Sequence, residues 1–376
     1  MVIRWLGLTG LAIGLAGCNP ALRVDAGQRA VPPPVSVALA IPLDNEPPRM
    51  LVVEHLAFSR NGELILAADS RANVRLYSHD SGALLTSLHV ERKHWFERRR
   101  LTTAGLLDDD TAFYLSWDGG LFEIWGIAPT ELRFSHRFAG IGGEKTTAAN
   151  ADYIAQGEHV LDRGTGELLE GRFLAHYGFS VDYQLTDGSL LFSASPLSRS
   201  VVLSDLGQRT QHLWHSGRVQ AAAFTASQRY LVVGGSRCQV WRLPDPELAH
   251  RCASRWPFGA DVTRVTAHPA EDLFAVYQGN AIRVYTLDPF KHLLDIKAPD
   301  HIQHLALTVN NRVVFVDRED NLEVWDIATG KLLGKHAFSS VQHLAVHPKT
   351  GDVLVAGYDD RRSDQHNLYL LTVDQP

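Results

Sequence analysis

Residues able to do chemistry are plentiful in this chain but scattered. Eighteen histidines occur among 376 residues. None stands in the Cys-x-x-Cys, His-Glu-x-x-His or Cys-x-x-Cys-His spacing that gathers ligands around a metal or haem. His55, His304 and His343 recur within one tripeptide, His-Leu-Ala, in three copies of a repeat. Equivalent positions in separate repeats are expected to meet equivalent neighbours rather than one another, which favours packing over a shared metal. A Gly-x-Ser-x-Gly turn is absent, and a Ser-His-Asp set is defined by geometry rather than order, so none is assigned. The acidic run Asp108-Asp109-Asp110 falls in a turn, where solvated charge is ordinary. No catalytic residue, metal ligand or cofactor is expected.

The elements that would position any site come from the repeat. An apolar strand (a), a polar turn, a second apolar strand (b), an alternating strand ending in an aromatic (c), and a tight turn into strand d recur along the chain. EHLAFSRNGELILAAD from Glu54, QHLALTVNNRVVFVD from Gln303 and QHLAVHPKTGDVLVAG from Gln342 align directly. With Phe58 as marker, equivalents fall at Leu106, Thr147, Gln184, Phe224, Ala267, Leu307 and Val346, separated by 48, 41, 37, 40, 43, 40 and 39 residues. Four short strands about every 40 residues form the pattern of a propeller blade, whose faces are buried only against neighbouring blades. The fold class expected is all-β, a single β-propeller of eight four-stranded blades. Seven blades with one irregular insertion is the alternative, because the third unit, TTAANADYIAQ, is built largely from small residues.

Strand c ends at Tyr77, Trp125, Trp241, Tyr285 and Trp325, and apolar residues alternate before each, as a two-faced strand requires. The turns Asp80-Ser81-Gly82, Gly164-Thr165-Gly166 and Ala328-Thr329-Gly330 put glycine where positive φ is needed, and Leu-Leu opens the next strand. The last unit offers three strands, His343–His347, Asp352–Gly357 and Asn367–Val373. Its open edge needs a cover, and the alternating segment VSVALAI, Val35 to Ile41, is the candidate for the missing outer strand.

Residues 1–17 carry one charge, Arg4, and an apolar run too short to span a bilayer. They end in Leu15-Ala16-Gly17-Cys18, which resembles the lipobox of bacterial lipoproteins. The resemblance implies cleavage before Cys18, its lipidation, and, with Asn19 rather than Asp following, an outer-membrane anchor facing the periplasm. The domain plan expected is a signal peptide over 1–17, a lipidated cysteine with a flexible, proline-bearing tether over 18–34, and the propeller over 35–376. The formal charge of −6 becomes −7 when Arg4 is removed, which argues against a nucleic-acid partner. In an oxidising compartment Cys238 and Cys252, each seven residues from the hairpin centre at Asp245, are placed for a disulfide; two buried thiols are the alternative.

FSRNGELILAADSRANVRLYSHDSGALL and LEVWDIATGKLLGKH resemble WD-repeat and related bacterial quinoprotein or YVTN-type propeller repeats. Among the strand c endings Trp325-Asp326 is the one Trp-Asp dipeptide, and the tryptophan that quinoprotein repeats place after the turn glycine is missing in all three copies. A lipobox joined to a propeller is similar in plan to the propeller lipoproteins of the outer-membrane β-barrel assembly machinery, which are non-catalytic scaffolds. Propeller resemblance places the d-to-a and b-to-c loops on one face, the usual binding face. Five b-to-c loops carry arginine: Arg71, Arg199, Arg237, Arg318, and the pair Arg361 and Arg362. The longest d-to-a loop adds Arg92, Lys93, Trp95, Phe96, Arg98, Arg99 and Arg100. Such an arginine sector with two aromatics suits a protein interface. Pairing with Asp69, Asp317, Asp320, Asp359 and Asp360 as solvated loop charge is the competing expectation. The function expected is a membrane-anchored, non-catalytic interaction scaffold, monomeric within a complex with an envelope protein. An exported lactonase-like or quinoprotein-like enzyme and a small-anion sensor are the alternatives.

Overall fold

A computed structural model describes residues 22–25, 35–43, 52–70, 73–89, 101–107, 110–117, 120–137, 147–150, 152–156, 159–169, 182–185, 190–194, 200–205, 209–215, 217–252, 260–359 and 366–372. All regular structure among them is strand, in a propeller-like all-β arrangement. Two strands, β1 (Leu22–Asp25) and β2 (Ser36–Pro42), precede the repeats. Sheet 1 holds β3 (Val53–Phe58), β4 (Leu64–Asp69), β5 (Asn73–Ser78) and β6 (Leu84–His89). Sheet 2 holds β7 (Leu101–Leu106), β8 (Ala112–Trp117), β9 (Leu121–Gly126) and β10 (Leu132–Arg137). Sheet 3 is short, with β11 (Thr147–Ala149), β12 (Tyr153–Gln156) and β13 (His159–Asp162). Sheet 4 holds β14 (Asp182–Leu185), β15 (Leu190–Ala194), β16 (Ser200–Asp205) and β17 (Arg209–Trp214). Sheet 5 holds β18 (Val219–Phe224), β19 (Tyr230–Gly235), β20 (Cys238–Arg242) and β21 (Glu247–Cys252). Sheet 6 holds β22 (Val262–Ala267), β23 (Leu273–Gln278), β24 (Ala281–Leu287) and β25 (Phe290–Lys297). Sheet 7 holds β26 (Ile302–Thr308), β27 (Arg312–Asp317), β28 (Asn321–Asp326) and β29 (Leu332–Ala337). Sheet 8 holds β30 (Ser340–Val346), β31 (Val353–Tyr358) and β32 (His366–Thr372). All eight repeat markers fall on the first strand of a sheet.

Within each repeat the strands are consecutive and antiparallel, so each sheet is a meander. The b strands bury both faces: Arg312–Asp317 and Leu273–Gln278 are buried at every position. Apolar side chains from successive sheets then share one wall. Phe315 and Trp325 of sheet 7 meet Tyr277 and Ile296 of sheet 6, and Val314 and Val324 on the other face meet Tyr369 and Leu371 of sheet 8.

The amino-terminal strand joins the last repeat. β2 pairs antiparallel with β32, giving the order β2-β32-β31-β30, with Val37 opposite Leu371 and Ile41 opposite Leu368. β30 and β31 also lie against β3, and Ile41, Leu354 and Leu368 share a cluster with Val53, Ile65 and Tyr77 of sheet 1. Hydrogen bonds reinforce this contact: the Val53 amide donates to Gln342 Oε1 at 2.7 Å, and His347 Nε2–H donates to the Gly62 carbonyl at 3.1 Å. Gly62 has φ of 82°, and a Cβ there would collide with the His347 ring, so glycine is required twice over.

Turn chemistry follows the sequence closely. Gly82, Gly166 and Gly330 adopt φ of 65°, 74° and 62°. In the third of these turns the Asp326 carboxylate accepts from the Thr329 amide and hydroxyl, a local bond that fixes the reversal.

Two expectations are corrected. The tether over 18–34 contains β1, which pairs in parallel with β25; an unsatisfied outer edge accepts an extended segment even when that segment carries no apolar periodicity. Asp110 is more than a solvated turn charge, because its carboxylate accepts the Arg60 and Asn61 amides of sheet 1 at 3.2 Å each. Asp108 and Asp109 lie outside the described residues.

Candidate functional site

The face bearing the b-to-c and d-to-a connections carries a groove between sheets 6 and 7. Its volume is about 590 Å³, and Lys297, Asp300, His301, Arg318, Glu319 and Lys335 are among its lining residues. β25 delivers Lys297 and then the segment Ala298–His301, held by the Ala298 amide donating to the Asn280 carbonyl and the Tyr277 hydroxyl donating to the Pro299 carbonyl. Arg318 and Glu319 sit in the turn from β27 to β28 and are exposed. That turn is fixed from within by buried Asp317, whose carboxylate accepts the Glu319 and Asn321 amides at 2.8 and 2.9 Å.

Charge in the groove is partly neutralised. Buried Glu323 accepts from Trp325 Nε1 and from Lys335 Nζ, each at 3.0 Å. Among the described residues no carboxylate is paired with the Arg318 guanidinium. The groove therefore offers an outward-facing cation and neighbouring acids on a rigid frame, which suits ion pairing and hydrogen bonding to a polar partner.

Among the described residues, the loop aspartates have partners within their own or a neighbouring sheet. Asp69 accepts from Asn73 and from Arg75 Nη1 at 2.9 Å. Asp317 is spent on its own turn, Asp320 accepts from Gln303 and from the Val341 amide, and Asp359 pairs with His336 at 3.1 Å. Of the loop arginines, Arg237 is half-buried and Arg318 exposed. Arg71, Arg92, Lys93, Trp95, Phe96, Arg98, Arg99, Arg100, Arg199, Asp360, Arg361 and Arg362 lie outside the described residues, as does Cys18.

Cys238 and Cys252 are opposite one another across β20 and β21 and are joined as a disulfide with Cα atoms 5.0 Å apart. Both are buried in the wall between sheets 5 and 6, beside Val240 and Phe274.

The recurrent histidines overturn one expectation, since they meet. His304 and His343 have ring centroids 6.0 Å apart, and His343 and His55 are 6.3 Å apart. Inner strands of adjacent sheets lie side by side, β26 against β30 and β30 against β3, so equivalent positions become neighbours. Spacing along the chain hides this; the side-by-side placement of equivalent strands carries the signal. Burial pushes the His304 pKa down to about 4, helped by the nearby His343 and Arg264 and opposed by a bond to the Gln342 backbone. Burial also lowers His343, against a bond to the Glu54 backbone. Neutral rings are thus favoured on this inner wall. No group of three His, Cys, Asp or Glu among the described residues is placed to hold a metal ion.

Comparison with known proteins adds a fold. No protein-family model matches the chain, and no curated protein matches it. A solved structure does. The crystal structure of the computationally designed Ika8 protein superposes with a TM-score of 0.66 at 19% identity, covering 86% of this chain and 97% of that one. At that identity the likeness is one of fold alone.

Proposed function

We propose that the eight sheets are blades of a closed β-propeller, anchored by a lipid on Cys18, that docks an envelope protein on its b-to-c and d-to-a loop face. The closed reading is supported by apolar clusters between every successive pair of sheets, including one uniting sheet 8 with sheet 1. WD-type repeats are the sequence counterpart of that arrangement. Stacking wedge-shaped sheets in a circle buries faces that a lone sheet would expose.

The observation that carries the docking reading is the groove beside Arg318, preformed on the face where the sequence concentrates its arginines. Rigid positioning lowers the ordering cost of binding, and arginine is among the residues that dominate interface energetics. The sector of Arg92, Lys93, Trp95, Phe96, Arg98–Arg100, Arg361 and Arg362 would extend the same surface.

The test is a pull-down from detergent-solubilised envelope with the full chain as bait. Changing Arg98, Arg99, Arg100, Arg361 and Arg362 to glutamate, or Arg318→Glu alone, is expected to remove a specific partner while leaving the folded bait intact. An unchanged partner set for both variants would refute the site.

A further inference from the structure

Among the described residues, the outer edge of sheet 6 differs from the other sheet edges in carrying a fifth strand. β25, at eight residues, is the longest strand described, and β1 lies beside it in parallel with Leu22 opposite Leu294 and Asp25 opposite Lys297. An outer strand presents unpaired backbone groups, and main-chain pairing with an extended segment satisfies them without demanding particular side chains. The pairing fixes a direction. β25 runs from the Asp288-Pro289 turn toward Ala298–His301 on the loop face, and β1 runs the same way. The amino-terminal end of β1, Leu22, therefore points toward the Asp288-Pro289 turn.

Cys18 stands four residues before Leu22. Four extended residues reach at most roughly 14 Å, whereas the full interval to Val35 would reach roughly 60 Å. We infer that β1 shortens the leash on the protein, holding the outer edge of sheet 6 close to the bilayer that carries the lipid, with the b-to-c and d-to-a loop face turned away from it. This rests on the lipidation of Cys18 proposed above.

Adhesion to headgroups does not supply the orientation. The near side carries Glu271, Asp272 and Asp288 against Lys291, and Arg229 is already committed, at 2.9 Å from Asp272 and 3.4 Å from Asp288. A surface whose acids outnumber its uncommitted bases gains little from anionic lipid. The leash alone sets the arrangement, and it leaves the Arg318 groove open to a partner.

The test uses the mature full-length protein in phosphatidylcholine vesicles, with a fluorophore at Lys291→Cys or Glu319→Cys and an energy acceptor on a headgroup. Quenching at Lys291→Cys is expected to exceed that at Glu319→Cys at least threefold, with no change when anionic lipid is added. Breaking β1 with Arg23→Pro and Val24→Pro is expected to equalise the two and to raise amide exchange along β25. Equal or reversed quenching with β1 intact would overturn the leash. Intact mass decides the other premise: a mature amino terminus without an acyl group would refute the anchor, and the orientation with it, whatever the exchange data say about β1.

Discussion

Between sheets 6 and 7 the wall buries Tyr277, Phe315 and Trp325 with ten or more aliphatic neighbours, whereas the described wall between sheets 3 and 4 buries Ala148, Ala155, Val160 and Val202, with Tyr153 and Leu169 partly buried against them. Both serve the same strand plan. Buried aromatics remove 150–250 Å² each from water, at about 25 cal/mol per Å², and an alanine removes far less. Among the described residues, sheet 3 has strands of three or four residues, and a bridge from Leu161 to Leu168 stands beside them. Among the described residues, the sheet with the smaller wall also has the shorter strands, and it keeps its place in the repeat.

The sharpest way to break this contrast is to exchange large for small on each side of it. Phe315→Ala or Trp325→Ala is expected to cost about 3–5 kcal/mol in denaturant unfolding, against about 2 kcal/mol or less for Val160→Ala. Equal losses would mean that the aromatic wall carries no special share of stability. Reducing the Cys238–Cys252 bond, which closes a loop with sequence separation 14, is expected to lower stability by about 3 kcal/mol. That loss would shift weight to sheets 5 and 6, leaving the sheet 3 wall unaffected.

Acid is expected to act on the histidine-bearing inner strands of sheets 7, 8 and 1. His304 has a folded pKa of about 4, below its ordinary value of 6.5, so the unfolded chain binds the extra proton first. Its contribution to stability is whole above pH 6.5 and falls as pH drops toward 4, by up to roughly 1.4 kcal/mol per pH unit. Urea midpoints at a series of pH values would show the slope, and His304→Gln should flatten it; an unchanged slope would contradict the burial of that ring. The smallest effect expected is from Gln342→Ala, about 1 kcal/mol, because the Val53 amide loses its partner.

Much of this fold was legible in the chain. The marker positions, the turn glycines, the cysteine pair and the outer strand near Val35–Ile41 all express local rules of period two, positive φ or register, and these are written in consecutive residues. What stayed hidden depends on contacts between repeats. The approach of His55, His304 and His343 requires knowing that inner strands stand side by side. The bonds from Asp110 to sheet 1 and from His347 to Gly62 join residues 50 and 285 positions apart. β1 was unreadable because main-chain pairing leaves no side-chain pattern. Within the groove, Arg318 was legible as a loop cation, but its lining by Lys297 and His301 emerges only when two sheets are placed together.

The measurement that bears most directly on the closed arrangement is amide exchange along β32. With β2 paired on one side and β31 on the other, the amides from Asn367 to Leu371 are expected to exchange as slowly as those of an interior strand. Val37→Pro with Leu39→Pro should expose them. Exchange at edge-strand rates in the unsubstituted protein would contradict the account.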